Sequence, residues 1–207
     1  MLLRQRVKLL VTGITVVWLT AIVVVPVVLT EQTAGSFVPV TDAMLENPAP
    51  ADWLMWRRTP NGWGYSPLDQ INRANVSDLQ LVWTRALAPG SQQGTPLAYG
   101  GTLYMPNPND HLQALDAVTG DLQWEYRREI PDDAPQVLGG AGLVSVNRNV
   151  AIYGQTIIDT ANDGYVYAVD AVTGDLAWET EIFDFDIEPA RHTSGPMVAN
   201  GKVISGR

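Results

Sequence analysis

Cysteine is absent from all 207 residues. Within this stretch that excludes a disulfide, a thiolate metal site, a C-x-x-C-H haem attachment and a lipidated N-terminal cysteine. Positive charge is scarce: 13 Lys and Arg stand against 22 Asp and Glu, a net charge of −9. A chain this acidic argues against nucleic acid as a partner, since that needs clustered Lys and Arg. Histidine occurs only at His111 and His192, neither with a second histidine at ligand spacing, so a histidine metal site is not expected. From Trp53 onward no stretch sustains a long helical period. Apolar residues alternate or run in short groups between Gly, Pro and Asn, which predicts an all-β chain.

The one long apolar run is N-terminal. Arg4, Arg6 and Lys8 precede it, and Leu9 to Thr30 then carries no charge and is rich in Val, Ile and Leu, long enough to cross a bilayer as a helix. Basic residues before it and Glu31, Asp42 and Glu46 after it predict an inward N-terminus and an outward remainder. A cleaved signal peptide is the alternative, although Gln32-Thr33-Ala34 is a poor cleavage site. In both readings the rest is exported, to face the periplasm from the inner membrane or to be soluble there. The expected division is a hydrophobic helix over residues 1–30, a polar, Pro-rich linker over 31–52 and a folded region over 53–207.

Within the folded region a single pattern recurs. Leu112 to Trp124 reads LQALDAVTGDLQW, and Val166 to Trp178 reads VYAVDAVTGDLAW. The offset from Asp116 to Asp170 is about the size of one propeller blade. Each copy predicts a half-buried strand, then a tight turn in which the Asp carboxylate accepts from turn N–H groups and the Thr hydroxyl while Gly takes a positive φ. A return strand follows, placing its Trp against a neighbouring sheet. Gly94 to Met105 and Asn149 to Ile158 read as strand pairs, and Met197 to Ile204 as a hairpin with Asn200-Gly201 at its tip. Leu79 to Trp83 reads as a further strand. Asp159 with Asn162-Asp163-Gly164 is only a partial Ca2+ loop, its intermediate ligand position being Ala161; it is read as a turn. At roughly 40–55 residues per four-stranded blade the chain has room for about three. It ends inside what reads as a strand, so the N-terminal portion of a longer protein is expected.

The two copies resemble the tryptophan-docking motif, roughly A-x-D-x-x-T-G-x-x-x-W, of the pyrroloquinoline quinone (PQQ) dehydrogenases. These are eight-bladed β-propellers that oxidise alcohols or sugars in the bacterial periplasm. The segment from Asp52 to Leu87, with its Trp-rich start and its Y-S-P-L and I-N-x-x-N-V elements, is similar to the start of the same family. The resemblance implies a partial propeller here and assigns three cofactor-binding residues. Gln93, in SQQGTPL, takes the place of the family's Glu in G-x-E-G-x-P-L. Arg148, in NRNVA, matches the Arg that lies beside the quinone carbonyls. Thr193, in TSGP, would hydrogen-bond a PQQ carboxylate or carbonyl. The family's metal ligands, for Ca2+ or a lanthanide, and its catalytic Asp are expected beyond Arg207, so no catalytic or metal residue is expected within these residues. The implied complete enzyme passes hydride from an alcohol or polyol to PQQ and electrons onward to a cytochrome or membrane quinone. The alternative is a non-catalytic scaffold propeller of outer-membrane protein assembly, which would keep the Asp-Thr-Gly-Trp repeats without reason to keep Arg148 and Thr193.

Overall fold

Two copies of one meander organise the chain. The computed structural model describes residues 36–87, 89–129, 146–184, 187 and 192–206; the hydrophobic helix expected over 1–30 lies outside them. Among the described residues no helix is long and apolar enough to cross a membrane. Strands β1 (Leu97–Tyr99), β2 (Thr102–Asn107), β3 (His111–Asp116) and β4 (Leu122–Arg127) form an antiparallel sheet in chain order. Strands β5 (Ala151–Tyr153), β6 (Thr156–Thr160), β7 (Tyr165–Asp170) and β8 (Leu176–Glu181) repeat it, and β9 (Met197–Ala199) with β10 (Lys202–Ile204) makes a hairpin. The expected all-β partial propeller is therefore present as two four-stranded blades and the first hairpin of another. The repeat extends to detail: Ala114 pairs Trp124 and Ala168 pairs Trp178, each followed at once by a register shift that bends the outer strand.

The repeated turns show why this sequence makes blades. Asp116 Oδ1 accepts from the N–H groups of Val118 and Thr119, both at 2.8 Å, and Asp170 Oδ1 does the same for Val172 and Thr173 at 2.8 and 2.9 Å. The Thr hydroxyls depart from expectation. Thr119 donates to Asp121 Oδ2 at 2.9 Å and Thr173 to Asp175 Oδ2 at 2.8 Å, the acid that follows the turn Gly competing with the first Asp for each hydroxyl. Gly120 (φ +76) and Gly174 (φ +78) close the turns, and each lies under the Trp of the preceding unit. A Cβ on Gly120 would sit 2.6 Å from the Trp83 ring, and one on Gly174 2.8 Å from the Trp124 ring. Trp83 Nε1 donates to Ala117 O at 3.3 Å and Trp124 Nε1 to Ala171 O at 3.0 Å. One Trp thus joins each unit to the next through an apolar face and a satisfied N–H. The middle strands are sealed by this stacking: Leu112, Ala114, Tyr167, Ala168 and Val169 are all buried.

Two expectations are corrected. The stretch taken as a linker is packed from residue 36 on. Val40 exchanges two 2.8 Å backbone hydrogen bonds with Gly154, and Tyr99 donates its hydroxyl to Val38 O at 2.7 Å. The short helix α1 (Asp42–Glu46) buries Leu45, and its Asp42 accepts from Tyr153 Oη at 2.9 Å and Gly201 N at 3.3 Å. Polar composition did not prevent docking, because two apolar side chains of the stretch, Val40 and Leu45, are buried and the backbone and Asp42 supply the polar contacts. The second correction concerns Leu79 to Trp83, which forms no strand. Leu81 and Val82 are 80% and 84% exposed, since no neighbouring strand among the described residues offers them a ladder; only Trp83 is anchored.

Candidate functional site

Three successive inner segments begin side by side. Thr95, leading into β1, bridges Asn149, leading into β5, in parallel, with Thr95 N donating to Arg148 O at 2.8 Å. On the other side Gly195, ahead of β9, lies so close to Asn149 that an added Cβ would be 1.8 Å from its carbonyl oxygen. Only a residue without a side chain permits that approach, and its φ of +70 favours Gly again. Residues just upstream of each strand are thereby brought to one place.

Those residues are Gln93, Arg148 and Thr193, the three named from the sequence. Arg148 Nε donates to Gln93 Oε1 at 3.1 Å; its Nη1 donates to the Thr193 hydroxyl and, at 3.5 Å, to the Thr193 carbonyl. Gln93 and Arg148 are exposed and Thr193 is half-buried. Among the described residues no carboxylate lies within ion-pair distance of Arg148. The cluster therefore presents an uncompensated guanidinium flanked by a carboxamide and a hydroxyl, a donor-rich set suited to an anion or a polarised carbonyl.

Behind the cluster lies a polar layer closed to solvent. Asn147 Nδ2 donates to Asp159 Oδ2 at 2.6 Å, and Asp159 also accepts from Tyr167 Oη at 3.0 Å and Thr160 N at 2.8 Å. Burial pushes the Asp159 carboxyl up to about 7 against the pull of these donors. Asp110, held by Asn162 N at 3.0 Å and Asn162 Nδ2 at 3.1 Å, is pushed up to about 8 by burial and by the nearby Asp159 charge. Arg128 closes the layer. It spans Asp163 at 2.9 Å and Glu179, with its guanidinium over the rings of Tyr165 and Tyr167 at 4.7 and 5.6 Å. The sequence names Asp159, Asn162 and Asp163 of this layer, but only as parts of a turn; Asp159 lies in β6 instead.

His111 and His192 are buried, His111 with Nε2 3.2 Å from Glu125. Burial lowers both imidazoles, and in His111 the Arg127 charge adds to it. Among the described residues no group of three or more His, Cys, Asp or Glu is arranged to hold a metal ion. A cavity of about 140 Å³ between Leu54, Met55, Val150, Ile152 and Val198 is lined mostly by apolar side chains and offers little to an anion.

Comparison with known proteins bears on the family of the chain. The family model for the PQQ glucose/ethanol/alcohol dehydrogenase β-propeller domain matches residues 53–207. The dehydrogenase subunit of the quinone alcohol dehydrogenase of Gluconacetobacter polyoxogenes is 34% identical over 163 residues, 76% of this chain and 22% of that protein. Among solved structures, the quinohemoprotein alcohol dehydrogenase ADHIIG of Pseudomonas putida HK5 superposes with a TM-score of 0.71 at 31% identity, over 83% of this chain and 25% of that one. A europium-containing methanol dehydrogenase gives a TM-score of 0.70 at 30% identity, over 80% and 28%. The chain thus spans about a fifth to a quarter of the length of the proteins it matches.

Proposed function

The chain belongs to the PQQ-dependent glucose/ethanol/alcohol dehydrogenase β-propeller family, and from that premise we propose that it supplies some of the cofactor site of an enzyme oxidising an alcohol or polyol. The observation that carries this reading is the convergence of Gln93, Arg148 and Thr193 from three successive inner segments. A scaffold propeller would have no use for it.

The residues fit the group. PQQ is an anionic, carboxylated ortho-quinone, and a guanidinium with no carboxylate partner among the described residues, beside a hydroxyl and a carboxamide, matches both its charge and its acceptor oxygens. The close packing of Gly195 on Asn149 leaves the donors unobstructed by a side chain at that position. When bound, PQQ supplies the hydride-accepting chemistry. Arg148 would hold the anionic cofactor through its guanidinium N–H groups and would offset negative charge on it. Thr193 orients a carboxylate or carbonyl oxygen through its hydroxyl. Gln93 steers Arg148 through Oε1 while adding no charge, so the full positive charge of the guanidinium stays available to the ligand. A Glu at that position would partly neutralise it.

The proposal extends to the whole protein. A Ca2+ or lanthanide ion completes the site through residues outside these 207, the europium-containing relative supporting the lanthanide. Electrons leave to a cytochrome or a membrane quinone, the latter supported by the Gluconacetobacter relative's being a quinone alcohol dehydrogenase. Residues 1–30 hold the protein to the inner membrane with the propeller in the periplasm, supported by the charge asymmetry about Leu9–Thr30. The test is Arg148→Ala in the full-length protein. PQQ-dependent dye reduction should fall at least about tenfold, the order expected for one lost electrostatic stabiliser, with the circular dichroism spectrum unchanged. Wild-type turnover with PQQ bound would remove Arg148 from the site.

A further inference from the structure

Each of the three cluster residues follows a residue that is tied to the end of a second strand. Gln92 Nε2, just before Gln93, donates to Asn107 Oδ1 at 3.1 Å, and Asn107 ends β2. Asn147 Nδ2, just before Arg148, donates to Asp159 Oδ2 at 2.6 Å. The carbonyl of His192, just before Thr193, accepts from Thr160 Oγ1 at 3.2 Å. Asp159 and Thr160 are the last two residues of β6, so the end of this one strand reaches the neighbours of both Arg148 and Thr193. Asn107, Asn147, Asp159, Thr160 and His192 are all buried.

Asp159 is the most telling member. It is fully buried, and the groups bonded to it are three donors, Asn147 Nδ2, Tyr167 Oη and Thr160 N; no cation pairs with it among the described residues. A buried carboxyl without a cation is an expensive way to stabilise a core. Its acceptor geometry is well suited to something else: fixing a donor side chain in one orientation. Two of its bonds, from Tyr167 and Thr160, anchor it within its own blade. The third reaches back to Asn147 and so sets the backbone from which Arg148 leaves.

Resting on the PQQ reading above, we propose that Asp159 is a positioning residue for Arg148, acting through Asn147 to aim the guanidinium at a carboxylated quinone. It does not touch the ligand. Thr160 acts in parallel on Thr193 through the His192 carbonyl, and Asn107 on Gln93 through Gln92.

The experiment is a double-mutant cycle in the full-length protein, read by PQQ binding rather than turnover. Apoprotein is titrated with PQQ, following quenching of tryptophan fluorescence, and the absorption spectrum of bound PQQ is recorded. The variants are Asp159→Asn, Asn147→Ser, Arg148→Lys, and each of the first two combined with Arg148→Lys. Asp159→Asn and Asn147→Ser should each weaken PQQ binding by roughly tenfold, the scale of lost outer hydrogen bonds to ligand-holding groups, and shift the bound spectrum. Neither should weaken binding further when Arg148 is already Lys, because the effect passes through the guanidinium. Unchanged affinity in a folded Asp159→Asn or Asn147→Ser protein overturns the proposal. So does the same tenfold loss in the Arg148→Lys background, which marks a general loosening of the blade. Should Asp159→Asn fail to fold, Asn147→Ser, which deletes the amide donor of the Asn147–Asp159 bond, decides alone. Wild-type apoprotein that does not bind PQQ defeats the cofactor reading itself, an outcome distinct from a wild type that binds and variants that bind equally well.

Discussion

Replacing Gly174 with Ala tests whether the Trp-on-turn contact holds successive blades together. Two costs follow from the structure. Gly174 has φ +78, a region where a Cβ costs about 1 kcal/mol. The new Cβ would also lie 2.8 Å from Cδ2 and Cε3 of Trp124, well inside contact distance, so the ring must move. Moving it loosens the 3.0 Å bond from Trp124 Nε1 to Ala171 O, worth about 1 kcal/mol. It also disturbs Tyr104, whose ring centroid is 6.0 Å from that of Trp124 and whose hydroxyl shares the Ala171 carbonyl; misfits of this kind cost about 1–3 kcal/mol. The total is on the order of 3–5 kcal/mol. Gly100→Ala is the matched control. Its φ is +58 with nothing within 4 Å of the added Cβ, so only the conformational cost of about 1 kcal/mol applies. Urea titrations of the full-length variants, followed by tryptophan fluorescence and far-ultraviolet circular dichroism, should place the Gly174 midpoint clearly below that of Gly100. Equal midpoints would mean that the ring yields freely and that the docked Trp does not join the blades.

Arg128→Met should destabilise the protein by roughly 3–5 kcal/mol, the cost of stranding a buried carboxylate such as Asp163; a melting temperature within a degree of wild type would contradict it. The raised Asp110 pKa, about 8 against an unfolded value near 3.9, means that its contribution to stability is complete below about pH 4 and lost as pH rises through about 8. Asp110→Asn should therefore flatten the decline in stability between those values, and an unaltered slope would show that Asp110 does not titrate there. Residues Leu9–Thr30 should remain on the mature chain, so N-terminal sequencing should find a start ahead of Leu9; a start between Glu31 and Trp53 would identify a cleaved signal peptide.

What could be read in the sequence was what local chemistry determines. The turns at Asp116 and Asp170 were legible because a carboxylate, a β-branched residue and a Gly in that order favour one backbone path; the hydroxyl partners were misassigned because two acidic residues compete for each Thr. Leu79 to Trp83 has strand composition, but a strand exists only where another strand pairs with it, and composition does not record the neighbour. The segment from residue 36 to 52 looked like linker because it is rich in polar residues and Pro, while its docking uses partners far along the chain: backbone groups meet Gly154 and Tyr99, and the Asp42 carboxylate meets Tyr153. Gln93, Arg148 and Thr193 could be named only through family resemblance, since nothing near any of them reveals the other two. Yet the repeat itself contains the reason that they meet. When each blade repeats the last and inner strands of successive blades run parallel, as the Thr95–Asn149 bridge shows, residues about one repeat apart must become neighbours at the inner edge. The spacing from Gln93 to Arg148 is close to that from Asp116 to Asp170, so for this pair the periodicity that marks the blades also selects the residues that face one another; Thr193 follows Arg148 at a shorter spacing. Asp159 escapes that rule because it acts within a single blade, from the end of its second strand back to the residues before its first. That link is tertiary, and no spacing in the sequence announces it.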